Sequence, residues 1–259
     1  MTSYQDNNLA NMAKHGFLIK KQCIDPVLFN NIDAIINKLI LKNYNTGHTP
    51  LRAWWQDDQQ HFTKIDQAHH ASQGISDFIQ SLDLTPVLHS LFTHATTCQL
   101  WASTVYLCPP GENTISAIGL HNDADHTPFI KGGYYTAWLP LNPIENTNCV
   151  LVNGSHFHKI DEKFCDALNA DVNQVINEIT SKYGNIISEF SLTQGDVLFV
   201  HSSCLRSILP NPSAKAQNYL VLYFRTENNP RVKNENHFGM CDQLENLALS
   251  PIIFHRKKP

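Results

Sequence analysis

Paired cysteines are what the chain most plainly lacks. Its seven cysteines, at positions 23, 98, 108, 149, 165, 204 and 241, are odd in number, dispersed and without a C-x-x-C. That argues against a disulfide framework and fits reduced thiols in a cytoplasmic protein. Long hydrophobic runs are missing too. The longest, such as Leu220 to Phe224, are strand-sized, and Met1-Thr2-Ser3-Tyr4-Gln5-Asp6 has neither a basic nor an apolar stretch. Neither secretion nor a membrane partner is expected. Charge is sparse, at 16% of residues, and 19 Lys and Arg against 23 Asp and Glu leave a formal net charge of -4. Apart from Arg256-Lys257-Lys258 the basic residues are scattered, so a nucleic-acid surface, which needs a basic face, is not expected either. There is no linker, repeat or low-complexity tract.

What is present suits a single domain over residues 1–259. With 42% hydrophobic residues, a chain of this length buries roughly 70–75% of its extended surface and needs no disulfide or structural metal to fold. Residues 1–96 read as a mainly helical layer. Asp25-Pro26 opens a helix that carries Val27, Leu28, Ile32, Ile35, Ile36, Leu39 and Ile40, Ser76 to Leu82 forms a shorter one, and Thr85-Pro86 opens a third. From residue 97 to 227 the pattern is strand-like: Leu100 to Leu107, Tyr134 to Leu141, Cys149 to Val152, Ile186 to Phe190, Val197 to His201 and Tyr219 to Arg225, punctuated by Pro and Gly turns. One helical insertion, 161–183, interrupts them, and 228–259 form a C-terminal extension. Many short strands without β-α-β alternation predict a sandwich or jelly-roll with helices on one side.

Fourteen histidines do not by themselves designate a metal site. The densest chemical cluster is Leu120-His121-Asn122-Asp123-Ala124-Asp125-His126. If extended, it projects His121, Asp123 and Asp125 from one face. An imidazole and a carboxylate two residues apart can chelate one cation, and with a remote histidine they make the 2-His-1-carboxylate triad of non-haem Fe(II) oxygenases.

In this context the chain resembles the phytanoyl-CoA dioxygenase family of Fe(II)/2-oxoglutarate-dependent oxygenases over nearly its whole length. Lys14-His15-Gly16-Phe17-Leu18-Ile19 is similar to the family's opening strand, Pro109-Pro110-Gly111 to the turn before its H-x-D, and His121-Asn122-Asp123 to the H-x-D itself. Thr136 to Leu141 resembles the central strand, Glu145-Asn146 an E-N-G-type turn, Asn153-Gly154-Ser155-His156 a P-G-S-H, and Gly195 to His201 the G-D strand before the second iron histidine. The resemblance implies a mainly β fold with flanking helices around a double-stranded β-helix (jelly-roll, cupin-like) core. It also implies Fe(II) and 2-oxoglutarate as cofactors, and oxidation, usually hydroxylation, of a small-molecule substrate. His121 and Asp123 take the catalytic and metal positions, with Tyr106 and Asn122 beside the co-substrate.

Two positions depart from that pattern. The second iron histidine is replaced by Arg206, and the arginine that grips the far carboxylate of 2-oxoglutarate by Gln217. Arginine does not deprotonate to ligate iron, and glutamine forms no charge-assisted pair. Three readings follow. A displaced metal site keeps His121 and Asp123 with His201, His126 or Asp125 as third ligand, while Arg225, Lys131 or Arg206 holds the co-substrate. Alternatively, Arg206 enters the vacant metal position and pairs with Asp123, giving a metal-free barrel that binds a ligand or a protein partner or catalyses a redox-neutral step. Or the alignment slips between Ser202 and Asn218, where no histidine stands to be recovered. Secondary candidates are a mouth lined by Arg52, Trp54, Trp55 and His61, Ser103 facing the pocket, and Cys204 as a soft ligand. His156 and Asp196 read as turn residues, and His69-His70 has no partner at zinc-like spacing.

Overall fold

The computed structural model describes residues 2–54, 63–110, 118–144, 149–157, 172–184, 187–188, 190–208, 211, 213–232 and 239–256. It opens with α1 (Thr2–His15) and β1 (Phe17–Lys20), with Gly16 between them at φ +82. The helix expected from Asp25 is divided. Asp25 accepts a hydrogen bond from the Val27 amide as foreseen, but Pro26–Phe29 form a 3-10 turn, and α2 (Ile32–Ile40) starts only after Asn30-Asn31, residues that favour caps over helix interiors. Its Ile32, Ile36 and Leu39 then share one buried face.

β2 (Arg52–Trp54) and β3 (Thr63–Asp66) follow, then α3 (Ala68–Ala71), α4 (Gln73–Ser81) and α5 (Thr85–Leu91). α4 starts earlier than Ser76 because the Ser72 hydroxyl caps it, accepting from the Ile75 amide. The first third is therefore not only helical. Two strands in it were not anticipated, and they extend the main sheet.

The remaining elements are β4 (Thr97–Cys108), β5 (Ile118–His121), α6 (Asp123–His126), β6 (Tyr135–Pro140), β7 (Cys149–Val152), α7 (Val172–Tyr183), β8 (Ile187–Ser188), β9 (Val197–His201), β10 (Arg206–Ile208), β11 (Gln217–Thr226) and β12 (Ile252–His255). All six expected strands form. β5, β10 and β12 are additional, and β12 returns the C-terminal segment to β4. The expected turns at Gly111 and Glu145-Asn146, and the first half of the helical insertion, lie outside the described residues.

An eight-stranded sheet in the order β1-β9-β6-β11-β4-β3-β2, with β12 also on β4, faces a four-stranded sheet in the order β5-β10-β7-β8. Every named strand pair is antiparallel. This is the expected jelly-roll with helices against one face.

Strand alternation sorts the side chains. Along β11, Leu220, Leu222 and Phe224 pack against the N-terminal helices, while Tyr219, Val221 and Tyr223 enter the space between the sheets. β9 divides likewise: Val197 and Phe199 point to the helices, Leu198 and Val200 inward. A third, small core on the far face of the minor sheet joins Leu120, Val152 and Leu205 to Val175 and Ile179 of α7. Among the described residues no helix is long and apolar enough to cross a membrane.

Candidate ligand site between the sheets

β5 ends at His121, and the chain does not stay extended. The Asn122 side chain accepts from the Asp125 amide at 2.9 Å, and its Nδ2 donates to Asp125 Oδ2 at 2.7 Å, capping the single turn of α6. Asn122 is thereby committed to a cap rather than to a co-substrate, and Asp125 is turned out to solvent with His126. Asp123 turns inward and is buried.

β10 lies between β5 and β7, with Arg206 opposite both His121 and Leu151. From there the Arg206 side chain crosses toward the major sheet, fully buried. Its Nη2 donates to Asp123 Oδ1 in an ion pair, and its Cζ lies 4.4 Å from the Trp138 ring centroid. Tyr106 stacks on Trp138, 5.4 Å between centroids and 7° between planes. Such ring pairs and cation–π contacts add about 0.5–2 kcal/mol each beyond area burial. Trp101 meets Tyr134 and Tyr223 edge-on at 5.5 and 5.6 Å. The Tyr134 hydroxyl is 2.9 Å from Thr127 Oγ1, which itself donates to the Asp123 carbonyl at 2.8 Å.

The electrostatics follow from this packing. Burial alone lowers the pKa of Arg206, but the Asp123 carboxylate, with Tyr106 and Tyr223, outweighs it, so the guanidinium stays charged. Burial first, then Asp123, pushes the Tyr134 hydroxyl well above its usual range, and burial with Tyr106 and Asp123 does the same to Tyr223. Both remain neutral phenols. Burial raises Cys149 to about 12 and Cys204 to about 11. The Cys204 sulfur is directed to the Val152 carbonyl at 3.6 Å.

These residues do not fit an iron centre of the expected kind. His121 and Asp123 are together, but His201 is not with them. It continues the helix-side row of β9 below Phe199, its ring 5.5 Å from Tyr135 and 5.4 Å from His156, and its Nδ1 accepts from the Ser203 amide at 3.1 Å. Burial and His156 lower its pKa to about 4. Expecting His201 as a third ligand fails because strand alternation sends it to the opposite face. Among the described residues no group of three His, Cys, Asp or Glu can hold a metal ion. A guanidinium, which cannot coordinate a cation, is bound to the carboxylate that would serve as ligand.

The other candidates separate. Tyr106 and Gln217 face the interior, Gln217 opposite Cys108. Arg225 stands eight residues beyond Gln217 on β11, about 26 Å at roughly 3.3 Å per residue. There it donates to Gln99 Oε1 at 2.9 Å and to the Asn229 carbonyl. Lys131 is exposed. Ser103 faces the helices, its hydroxyl 2.6 Å from His69 Nδ1. His156 Nε2 lies 3.2 Å from the Ala13 carbonyl of α1, outside its own turn, and Asp196 accepts from Lys21, Gln22 and Thr193. The side chains of Arg52, Trp54, Trp55 and His61 lie outside the described residues.

Sequence reading missed Lys64 and Asp66 on β3, which run beside Tyr106 and Thr104 of β4. Lys64 Nζ lies 5.9 Å from the Tyr106 ring centroid and 3.3 Å from Asp66 Oδ1. The only signal was one inward-outward alternation around Ile65, too short to identify a strand.

No protein-family profile matches the chain, and no curated protein matches its sequence. Solved structures do match. The non-heme alpha-ketoglutarate-dependent epimerase SnoN from nogalamycin biosynthesis superposes with a TM-score of 0.68 at 14% identity, over 92% of this chain and 89% of SnoN. The alpha-ketoglutarate-dependent carbocyclase SnoK superposes at 0.67 and 13%, over 95% of each chain. EctD from S. alaskensis, in its apoform, superposes at 0.67 and 14%, over 90% of this chain and 80% of EctD. At such identities the likeness establishes the fold: the chain has the jelly-roll of non-heme iron and 2-oxoglutarate-dependent enzymes.

Proposed function

We propose that this chain is a metal-independent small-molecule-binding member of the oxygenase fold, in which the Arg206 guanidinium supplies the fixed positive charge beside His121 and Asp123. One observation carries this reading: Arg206, at the position where the resemblance expects the second iron histidine, is buried and ion-paired to Asp123. A buried guanidinium deprived of its carboxylate is strongly unfavourable, so iron has to compete with a partner that is already seated. Trp138, Tyr106, Tyr134 and Tyr223, apolar rings with polar tips, pack around the pair in the core between the sheets, and such residue types favour small-molecule recognition. Binding, or a redox-neutral step at His121, is the chemistry these residues support.

A second reading keeps a Fe(II)/2-oxoglutarate-dependent oxygenase acting on a small molecule. It is favoured by the side-by-side placement of His121 and Asp123 and by the fold neighbours, one of which, SnoN, has been solved with Fe3+ and alpha ketoglutarate. It requires Arg206 to leave Asp123.

Anaerobic titration with Fe(II) and 2-oxoglutarate decides between them through the visible charge-transfer band of the chelated 2-oxo acid. The metal-independent reading expects no band from the wild-type protein and its appearance in the Arg206→His, Gln217→Arg double variant. A stoichiometric wild-type band establishes the oxygenase reading instead.

A further inference from the structure

Residues 239–250 cross one end of the space between the sheets as a run of turns, with neither helix nor strand. The amides of Asp242, Leu244, Asn246, Leu249 and Ser250 donate within the segment, to the carbonyls of Gly239, Cys241, Gln243 and Asn246. Its other carbonyls are held by side chains of the body. Gln67 donates to Met240 O at 3.3 Å, and Gln99 to Leu244 O at 2.7 Å and Ser250 O at 2.9 Å. His69 and His70 both bring Nε2 to the Leu249 carbonyl, at 2.7 and 3.2 Å.

Two side chains of the segment point inward. Cys241 and Leu244, 2% and 4% exposed, belong to the core between the sheets together with Trp101, Tyr134 and Tyr223. Glu245, Asn246, Leu247 and Ala248 are exposed. Gln99 also accepts from Arg225 Nε, so the segment is fastened where β4 and β11 run side by side. A cleft of about 250 Å³ lies along its edge, lined by Gln99, Arg225, Leu244 and Leu247 among others. In the core that Cys241 and Leu244 close, the Trp101 indole N–H is buried without a hydrogen-bond partner among the described residues.

A strand leaves a sheet only by breaking its ladder. A run of turns carries its own amide bonds with it, and the carbonyls and side chains that part are met by water. Segments of this kind open at a lower free energy than the strands beside them. We infer that residues 239–250 form a strap that opens as one unit and gives access to the space between the sheets at the Gln99–Arg225 end. This holds for either reading of the site, with or without metal.

Cys241 and Trp101 report on the opening in the whole protein. Pulse labelling with N-ethylmaleimide, read peptide by peptide, should modify Cys241 at least about tenfold faster than Cys98 and Cys149, which are also buried but lie in β4 and β7. The Trp101 indole proton, followed by NMR exchange, should show the same protection as Cys241 to within about tenfold, since both wait for one opening. Gln99→Leu removes the ties to Leu244 and Ser250 and should speed both by about tenfold with Cys149 unchanged. A Cys241 rate no faster than those of Cys98 and Cys149 overturns the inference, because the strap then opens only with the whole molecule. Rapid Cys241 labelling with a far better protected Trp101 proton overturns it too, because the strap then frays without uncovering the interior. If Gln99→Leu does not fold, the two wild-type measurements decide.

Discussion

Arg206 and His121 face each other across the β10–β5 ladder, yet the guanidinium of Arg206 is bound not to His121 but to Asp123, two residues further along the chain. The backbone neighbour of the cation is an imidazole and its side-chain partner a carboxylate, the two groups of the H-x-D pattern. One residue from the minor sheet thereby engages the carboxylate of that pattern.

The ion pair should dominate local stability. Asp123→Asn strands a buried guanidinium and should lower the free energy of unfolding by about 3–5 kcal/mol. Combining it with Arg206→Met should restore part of that loss, because no charge is then left buried. Urea midpoints of the two single variants and the double variant form the cycle. Additive losses would mean that the two side chains do not act as a pair.

Trp138 carries the stack and receives the guanidinium. Trp138→Ala should cost about 3–5 kcal/mol, the usual loss for a large aromatic removed from a close-packed core. It should also diminish the near-ultraviolet circular dichroism of the interior rings. A variant with an unchanged near-ultraviolet spectrum would place Trp138 outside a rigid core.

Stability should fall with pH between about 6.5 and 4. Burial, with His70, lowers His69 to about 3, and burial, with His156, lowers His201 to about 4, from 6.5. Above 6.5 neither folded nor unfolded chain holds these protons, and the full stability is present. Below it the unfolded chain takes up protons that the folded one refuses, until the folded pKa values are reached. The loss approaches about 1.4 kcal/mol per pH unit for each histidine inside its window. Asp196 and Glu227, held low by their hydrogen bonds despite burial, act only below the carboxylate range. Denaturant midpoints at pH 7.5 and 5 therefore isolate the histidines, and His201→Gln should flatten the dependence.

Gly16 holds the turn from α1 into β1. Its φ is +82, its carbonyl accepts from the His201 amide at 2.8 Å, and a methyl group there would lie 2.5 Å from His156 Nδ1 and 3.1 Å from Cys204 Sγ. Gly16→Ala should lower stability by roughly 1–3 kcal/mol through strain and overpacking. A melting temperature unchanged within a degree would contradict that crowding.

The barrel was legible because its strands announce themselves twice, by β-branched and aromatic runs and by the turns between them, as in Val197 to His201 and Tyr219 to Arg225. β2 and β3 were not, since one isoleucine between Lys64 and Asp66 is no periodicity. The pairing of Arg206 with Asp123 was readable as one alternative, because a carboxylate pointed inward requires a counter-charge. The fate of His201 was hidden. A residue's face follows from strand register, and five residues of β9 show alternation without showing which side is the interior. Asn122 was misjudged because a one-turn helix of four residues has too little pattern to reveal the cap it needs.

The cross-sheet reach of Arg206, rooted beside His121 in one sheet and resting on Trp138 in the other, ties the two halves of the sandwich with a cation carried in the chain itself. On the metal-independent reading proposed above, such a protein is equipped as soon as it folds: its occupancy would not follow the supply of iron, it would have no ferrous centre to lose to oxidants, and chelators would find nothing at this site to remove.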